Sequence, residues 1–203
     1  MSGEHYFSEQ PTGEFKPKKI VTAIDGQRVE LLTAGGTFSP DHMDTGTAIL
    51  LEHAYQAPNS GNLLDLGCGW GPIALTLAKK NPEATVWAVD VNERSLELTR
   101  MNAEKLGLTN IRVAHVDDVP AELTFTGIWS NPPIRVGKAV LHEILQTWLP
   151  RLTIGGESLL VVQKNLGADS LQRWLENGLG EAFGISRIDS SKGFRVLSVK
   201  KKL

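Results

Sequence analysis

The sequence contains a single cysteine, Cys68, among its 203 residues, so no disulfide can form within the chain. One thiol predicts a protein of a reducing compartment, which we take to be the cytoplasm. No run of apolar residues is longer than four, whereas a membrane-spanning helix needs about 20. The sequence therefore predicts a soluble protein with neither a membrane span nor an apolar leader.

The sequence also lacks a strong charge of either sign, since 21 basic and 23 acidic residues give a formal net charge of −2. That balance excludes binding of nucleic acid through a positive charge over the whole surface, so any site for a polyanion must be a local basic patch. The five histidines show no metal-ligand spacing with Cys68, and we predict no metal site. Hydrophobic residues still make up 41% of the chain, which excludes a disordered protein.

The first 35 residues differ in pattern from the rest of the chain. Proline and glycine interrupt their beginning, and Asp25-Gly26 then separates two short runs rich in β-branched residues. Asp-Gly between such runs is typical of a β-hairpin. We predict an N-terminal arm and hairpin over residues 1–35, followed by the main domain over residues 36–203.

From residue 62 onward, apolar segments rich in β-branched residues alternate with segments of helical periodicity. This alternation is typical of a parallel sheet covered on both faces. We predict an α/β, Rossmann-like, doubly wound fold: a mostly parallel seven-stranded sheet with helices on both faces. The predicted strands are residues 62–66, 85–91, 111–116, 126–130 and 157–163, with two more within 185–200. The predicted helices are residues 72–80, 93–106, 136–149 and 167–176.

A glycine loop follows the first strand of the main domain, with the pattern D-x-G-x-G-x-G at Asp65, Gly67, Gly69 and Gly71. Glycines there let the backbone approach a ligand closely and present free amides at a helix start. A turn that merely links a strand to a helix is the alternative interpretation. The pattern differs from the G-x-G-x-x-G loop of dinucleotide sites. Asp90 ends the next strand, where a carboxylate can accept both hydroxyls of a ribose.

This arrangement resembles motif I of the class I S-adenosylmethionine-dependent methyltransferases. The resemblance implies that the acid before the glycines faces the amino-acid end of S-adenosylmethionine and that the glycines make room for it. It also implies that Asp117 or Asp118, after the third strand, accepts the adenine amino group; the sequence does not separate the pair. The implied cofactor-binding residues are Thr47, Asp65, Gly67, Cys68, Gly69, Gly71, Asp90, Val91, Asp117, Asp118 and Asn131.

Asn131, Pro132 and Pro133 follow the fourth strand, where they resemble motif IV of methyltransferases that modify planar exocyclic nitrogens. The lone pair of such an amine is delocalised, so the nitrogen is a poor nucleophile. The Asn131 side-chain oxygen and the Pro132 carbonyl are expected to hold its two hydrogens and to localise the lone pair. We expect the carbonyl to be free of a neighbouring N–H, because proline follows it. A rigid turn that stops the strand is the alternative interpretation.

Further segments are similar to the RsmC-like group of "methyltransferase small domain" enzymes: His5-Tyr6-Phe7-Ser8, Phe38-Ser39, and residues 44–47 and 131–138. The resemblance implies methylation of guanine N2 in small-subunit ribosomal RNA, with ribosomal RNA or the small ribosomal subunit as partner. Ribosomal members often carry an additional degenerate half that this sequence lacks.

Three residues after the asparagine-proline-proline sequence are candidates for substrate binding: Ile134, Arg135 and Lys138. Ile134 stands where an aromatic residue commonly stacks on the target. Two alternatives remain open: N-methylation of a protein glutamine amide or a small amine, and a catalytically inactive module that recognises RNA with a methyltransferase fold.

Overall fold

The computed structural model describes residues 14–202, apart from the side chain of Arg135. Most of the predicted N-terminal arm, including His5-Tyr6-Phe7-Ser8, lies outside the described residues. Among residues 14–202, no helix is long and apolar enough to cross a membrane.

The described chain forms two sheets. A two-stranded antiparallel sheet is followed by a seven-stranded sheet with the order β5-β4-β3-β6-β7-β9-β8. The strands of the first sheet are β1 (Lys18–Ile24) and β2 (Gln27–Thr33). The strands of the second are β3 (Gly61–Leu66), β4 (Ala84–Asp90), β5 (Ile111–His115), β6 (Phe125–Ser130), β7 (Leu152–Gln163), β8 (Phe183–Ser191) and β9 (Phe194–Lys201). Strands β3 to β7 pair in parallel, whereas β9 runs antiparallel to β7 and to β8.

Within residues 14–202, five α-helices cover the large sheet on both faces, which confirms the predicted Rossmann-like architecture. They are α1 (Thr45–Leu51), α2 (Pro72–Lys80), α3 (Glu93–Lys105), α4 (Lys138–Trp148) and α5 (Ala168–Gly178). Side chains alternate between the faces of each strand. Leu63 of β3 therefore packs in one cluster with α1 and α2, and Leu64 packs in another with the end of α4.

The hairpin β1–β2 packs against the main domain. Its turn is Asp25-Gly26, as predicted, and both residues have positive φ. Ile24 and Leu31 of the hairpin are fully buried in a cluster with residues of α2 and α3. The division of the chain at residue 35 stays a prediction.

The strand order places a topological switch between β3 and β6. The chain runs outward from β3 through β4 to β5, then returns to the other side of β3 as β6. Loops after β3 and β6 therefore diverge to opposite faces of the sheet and leave a crevice at the carboxyl ends of the strands.

Two elements depart from the sequence prediction. Helix α1 was not predicted, because its seven residues include two threonines and a glycine, which have modest helical propensity. Strand β7 begins at Leu152 rather than at residue 157. Gly155 has φ +79°, and the pairing of β7 with β6 shifts register there, which interrupts the strand pattern in the sequence.

Candidate active site

A cavity of about 1020 Å³ occupies the crevice at the switch between β3 and β6. The predicted site residues that line it are Gly67, Gly69, Asp90, Val91, Asp117, Asn131, Pro132, Pro133 and Ile134. The predicted site residues that do not line it are Thr47, Asp65, Cys68, Gly71, Asp118 and Lys138. The structure thus brings the glycine loop, the ends of β4 and β5, and the asparagine-proline-proline sequence to one site.

The glycine loop presents an open backbone to the cavity. Gly67 has φ +82° and Gly69 has φ +56°, a region that favours glycine. A Cβ added at either position would meet no protein atom within 4 Å, so the space beside these residues is free for a ligand. The N–H groups of Gly67 and Cys68 both donate to the Val89 carbonyl, which fixes the start of the loop on β4.

Asp90 ends β4 and forms the neighbouring part of the wall. Its Oδ2 accepts from the Gly69 N–H over 2.9 Å, and its Oδ1 accepts from the Asn92 N–H over 3.0 Å. Burial raises the pKa of Asp90, and the backbone hydrogen bonds oppose that rise. Each carboxylate oxygen has further acceptor capacity, so the pair of oxygens can still receive two hydroxyls of a ligand.

Asp65 lies beneath the loop and not on the cavity wall, which corrects the expectation that it faces the ligand. It is fully buried, and its Oδ2 accepts from the Ala74 N–H over 2.9 Å in the first turn of α2. Its Oδ1 has no hydrogen-bond partner among the described residues. Desolvation raises the pKa of Asp65 to about 8. The side chain therefore stabilises the start of α2.

Cys68 and Gly71 join the loop to α3 and do not contact the cavity. The Cys68 Sγ lies 3.6 Å from Thr99 Oγ1, and burial raises the pKa of the thiol. Gly71 has φ +96°, and a Cβ there would lie 3.0 Å from Thr99 Oγ1. Both positions therefore require small residues because α3 packs closely on the loop.

The two acids after β5, Asp117 and Asp118, differ in their position relative to the cavity. Asp117 lines the cavity and Asp118 does not. The Asp117 N–H donates to His115 Nδ1 over 3.3 Å, which closes the turn after β5. Val91, next to Asp90 in the chain, lines the same cavity.

Asn131 follows β6, on the other side of β3 from Asp90, and its side-chain amide is held in one orientation. Its Nδ2 donates to Asp44 Oδ2 over 2.8 Å and to Thr47 Oγ1 over 3.0 Å. Both hydrogens of Nδ2 are thus committed, and Oδ1 remains as the acceptor of the side chain. Thr47, which does not line the cavity, acts on the site through this contact.

The turn Pro132-Pro133 differs in one respect from the sequence prediction. Pro133 has φ −74° and ψ 76°, the geometry of an inverse γ-turn. The Ile134 N–H therefore donates to the Pro132 carbonyl over 2.8 Å, so the expectation of a carbonyl free of neighbouring N–H groups is wrong. A carbonyl oxygen has two lone pairs, and the second is still available to a substrate.

Aromatic side chains reach the cavity from two places outside the predicted site. Phe38 lies in the loop before α1 and is 42% exposed, and Phe194 begins β9. A Cβ on Gly46 would lie 2.8 Å from Phe194 Cε1, so glycine at the start of α1 admits this ring. Ile134 also lines the cavity, and Lys138 is exposed at the start of α4.

Sequence reasoning did not assign Asp44, Phe38 or Phe194 to the site, although Phe38 and residues 44–47 are among the segments that carry the family resemblance. Asp44 caps α1, since its Oδ2 accepts from the Thr47 N–H over 3.0 Å. An aspartate three residues before a threonine and ahead of an apolar run is a signal for such a cap. Phe194 carries no local signal, because only the return of β9 beside β7 brings it to the cavity.

A family model described as "Methyltransferase small domain" matches residues 28–198 of the chain. The uncharacterized protein YbxB of Bacillus subtilis (strain 168) is 35% identical over 201 residues, which cover 98% of both chains. The ribosomal RNA small subunit methyltransferase C of Acinetobacter baumannii (strain AYE) is 30% identical over 190 residues. That match covers 89% of this chain and 53% of the relative.

A solved structure is similar across the same region. The 16S rRNA N2 G1207 methyltransferase RsmC of T. thermophilus, in complex with AdoMet and guanosine, has a TM-score of 0.76 and 26% sequence identity. The match covers 92% of this chain and 51% of that one. The chain therefore spans about half the length of the ribosomal RNA methyltransferases that it matches.

Proposed function

The chain belongs to the methyltransferase small domain family, and we propose that it methylates the exocyclic N2 of guanine in small-subunit ribosomal RNA. It has the fold of S-adenosylmethionine-dependent methyltransferases, and S-adenosylmethionine is its cofactor. The identity of the acceptor atom, of the nucleobase and of the RNA is what we propose beyond the family and the cofactor. The proposal also assigns the catalytic domain to residues 36–203, the partner to ribosomal RNA or the small subunit, and the location to the cytoplasm.

The residues on one side of the cavity fit S-adenosylmethionine. The open faces of Gly67 and Gly69 leave room that a Cβ would otherwise occupy. Asp90 would accept the two ribose hydroxyls, and Asp117 would accept the adenine amino group. When bound, S-adenosylmethionine supplies an electrophilic methyl group on its sulfonium and leaves as S-adenosylhomocysteine.

The orientation of the Asn131 amide is the observation that carries the proposal. Because Nδ2 is committed to Asp44 and Thr47, the acceptor Oδ1 is the free end of the side chain. Oδ1 and the second lone pair of the Pro132 carbonyl would accept the two hydrogens of the guanine amine. These bonds localise the nitrogen lone pair and strengthen as the nitrogen gains positive charge during transfer.

No strong base is needed in this scheme. As the bond from the nitrogen to the methyl carbon formed, the bond from that carbon to the sulfonium sulfur would break, and the positively charged nitrogen would then lose a proton to water. The main work of the residues is alignment of the nitrogen with the methyl group, with preorganised acceptors. This fits a wall on which Asn131 is fixed by two hydrogen bonds and Pro132 by an inverse γ-turn.

The cavity also has apolar lining that suits a flat base. Pro133, Ile134 and the rings of Phe38 and Phe194 line it, and these offer apolar surface for stacking. A guanine amine that is paired in a duplex is out of reach, so the target base must be unpaired or flipped into the cavity. Arg135 and Lys138 follow the site in the chain and are assigned to the phosphate backbone.

The proposal is tested by methyl transfer from S-adenosyl-[methyl-³H]methionine to RNA and protein of cells that lack this chain. Deproteinised 16S RNA, isolated small subunits and ribosome-free protein are the three acceptors. We expect label in one of the RNA samples, recovered after nuclease digestion as N2-methylguanosine, and transfer by Asn131→Ala that is slower by about two to three orders of magnitude.

Label in protein glutamine would instead identify an amide methyltransferase. Binding of both S-adenosylhomocysteine and RNA with no transfer to any acceptor would identify a catalytically inactive RNA-binding module. Another methylated nucleoside, such as N6-methyladenosine, would keep the enzyme class and overturn the assignment to guanine.

A further inference from the structure

We propose that Asp44 is a positioning residue that selects which end of the Asn131 amide faces the substrate. The proposal rests on the proposed function, because it assigns Asp44 a task in holding an amine acceptor. Asp44 lines the cavity, and its Oδ2 accepts from Asn131 Nδ2 over 2.8 Å.

The two ends of an asparagine side chain are nearly equal in size but opposite in hydrogen bonding. The terminal torsion has two broad minima, so sterics alone do not choose between them. If the amide were reversed, Nδ2 would point its hydrogens at the hydrogens of the substrate amine. The reaction therefore depends on a neighbouring side chain that stabilises one orientation of the Asn131 amide and disfavours the reversed one.

Asp44 discriminates between these orientations and Thr47 does not. An ionised carboxylate only accepts hydrogen bonds, so it attracts Nδ2 and repels Oδ1. A hydroxyl both donates and accepts, so Thr47 Oγ1 can serve either end of the amide. Both residues hold Asn131 in place, but the choice of orientation comes from Asp44.

The carboxylate of Asp44 is itself fixed by α1. Its Oδ2 also accepts from the Thr47 N–H over 3.0 Å, as the N-cap of that helix. Helix α1 is anchored by buried Ile49 and Leu50, and it packs against β7. Asp44 Oδ2 thus accepts both from the Thr47 N–H and from Asn131 Nδ2. The start of α1 therefore sets the position of the Asn131 side chain.

Substitutions at Asp44 separate the cap from the positioning role. Serine is a good N-cap, but its side chain is one atom shorter and does not reach Asn131. Asparagine retains an oxygen at the same distance, which can accept from both donors. We expect Asp44→Ser to lower kcat about 10- to 100-fold, by analogy with small misplacements of reacting groups, with little change in melting temperature.

The conservative variant and the neighbouring threonine serve as controls. Asp44→Asn should restore kcat to within about threefold of the unmodified protein, because the Thr47 N–H selects the oxygen of the new amide at the position where it also accepts from Asn131 Nδ2. Thr47→Ala should reduce kcat less than Asp44→Ser. Affinity for S-adenosylhomocysteine should change in none of them. The double variant Asp44→Ser/Asn131→Ala should be no slower than Asn131→Ala, since Asp44 acts through Asn131.

A second readout does not depend on turnover. In ¹H–¹⁵N spectra, the side-chain amide signals of Asn131 are identified by their loss in Asn131→Ala. Both protons should exchange slowly with water in the unmodified protein. At least one should exchange rapidly in Asp44→Ser and regain protection in Asp44→Asn.

The two readouts distinguish failure of this proposal from failure of the proposed function. Unchanged exchange in Asp44→Ser overturns the positioning role whatever the protein methylates. So does a loss of kcat in Asp44→Asn as large as in Asp44→Ser, because the charge and not the amide orientation would then matter. Normal protection and rescue with an acceptor other than guanine would leave Asp44 in place and reject only the substrate assignment.

Discussion

The main-chain N–H of Gly69 donates to Oδ2 of Asp90 over 2.9 Å, which joins the glycine loop to the end of β4. The two features that predicted a cofactor site from sequence are thus a single unit in the structure. The same carboxylate holds the Asn92 N–H through its other oxygen, over 3.0 Å. Loss of Asp90 would therefore remove ligand acceptors and release the loop at the same time.

Asp90→Ala should weaken the binding of S-adenosylhomocysteine by about 1.5–3 kcal/mol, the scale of hydrogen bonds to a charged group. Isothermal titration calorimetry measures the change directly. Equal affinity in Asp90→Ala and the unmodified protein would reject the assignment of Asp90 to the ribose. Binding of NAD more tightly than S-adenosylhomocysteine would contradict the cofactor class.

The neighbouring acids Asp117 and Asp118 form a matched pair for the adenine end. Only Asp117 lines the cavity, so Asp117→Ala should weaken S-adenosylhomocysteine binding by about 0.5–1.5 kcal/mol. Asp118→Ala changes the net charge equally and should leave the affinity unchanged. The assignment fails if calorimetry shows equal losses, since a nonspecific charge effect would then explain both.

The predictable parts of the site are those that a short segment specifies. Gly67, Asp90 and Asn131 each follow a strand of a parallel sheet, so the strand pattern alone brings them to one edge. Asp65 belongs to the same local pattern, yet the sequence did not show which way its side chain points. The contact with the Ala74 N–H in α2 decides this.

The parts that the sequence did not predict depend on distant segments. Asp44 and Asn131 are 87 positions apart, and their contact requires that α1 pack beside the end of β6. Phe194 reaches the cavity because β9 inserts antiparallel next to β7. The hydrogen bond from the Ile134 N–H to the Pro132 carbonyl depends on ψ of Pro133. The sequence does not predict it, because the proline ring restricts φ and not ψ.

The raised pKa of Asp65, about 8, predicts a pH dependence of stability. In the unfolded chain the pKa is about 3.9, so between about pH 4 and pH 8 the native state binds more protons. The free energy of unfolding must then fall as pH rises through that window, by up to about 1.4 kcal/mol per pH unit. Burial disfavours the charged form, and this is the physical cause.

Urea denaturation at pH 5, 6, 7 and 8 tests the effect with Asp65→Asn as the reference. As pH rises, the free energy of unfolding of the unmodified protein should fall relative to that of Asp65→Asn. Asp90, whose pKa is also raised by burial, is present in both proteins and largely cancels. Parallel pH profiles would show that Asp65 is ionised throughout.

Lys138 provides a test of the proposed contacts with the phosphate backbone of RNA. It is exposed at the first residue of α4, where a cation gains nothing from the helix dipole, so its removal should not destabilise the helix. Lys138→Ala should weaken RNA binding and reduce the slope of log affinity against log salt by about one. The comparison is Lys200→Ala, an exposed lysine of β9 that lies opposite Glu157 of β7 in the strand register and does not line the cavity. Equal losses in the two variants would exclude a local patch beside the cavity.

Asn131→Ala tests the chemistry itself. If Oδ1 supports the amine mainly as positive charge develops, its removal should slow methyl transfer by about two to three orders of magnitude, as for other preorganised polar groups. The affinity for S-adenosylhomocysteine should change far less, because Asn131 follows β6, whereas the proposed cofactor acceptors Asp90 and Asp117 belong to the ends of β4 and β5 on the other side of β3. Asn131→Asp keeps an acceptor but places a second carboxylate against Asp44, which already lies 2.8 Å from Nδ2, so it should be impaired as well.

The measurement is single-turnover methylation with saturating RNA and cofactor, which separates the chemical step from binding and product release. Lys138→Ala should reach a nearly normal rate under these conditions, since saturation compensates for weaker RNA binding. A slow Asn131→Ala beside a normal Lys138→Ala would assign the two residues to chemistry and to binding. A normal rate for Asn131→Ala would instead leave Asn131-Pro132-Pro133 as a structural turn, because no step of the transfer would then depend on the acceptor that Asp44 and Thr47 hold in place.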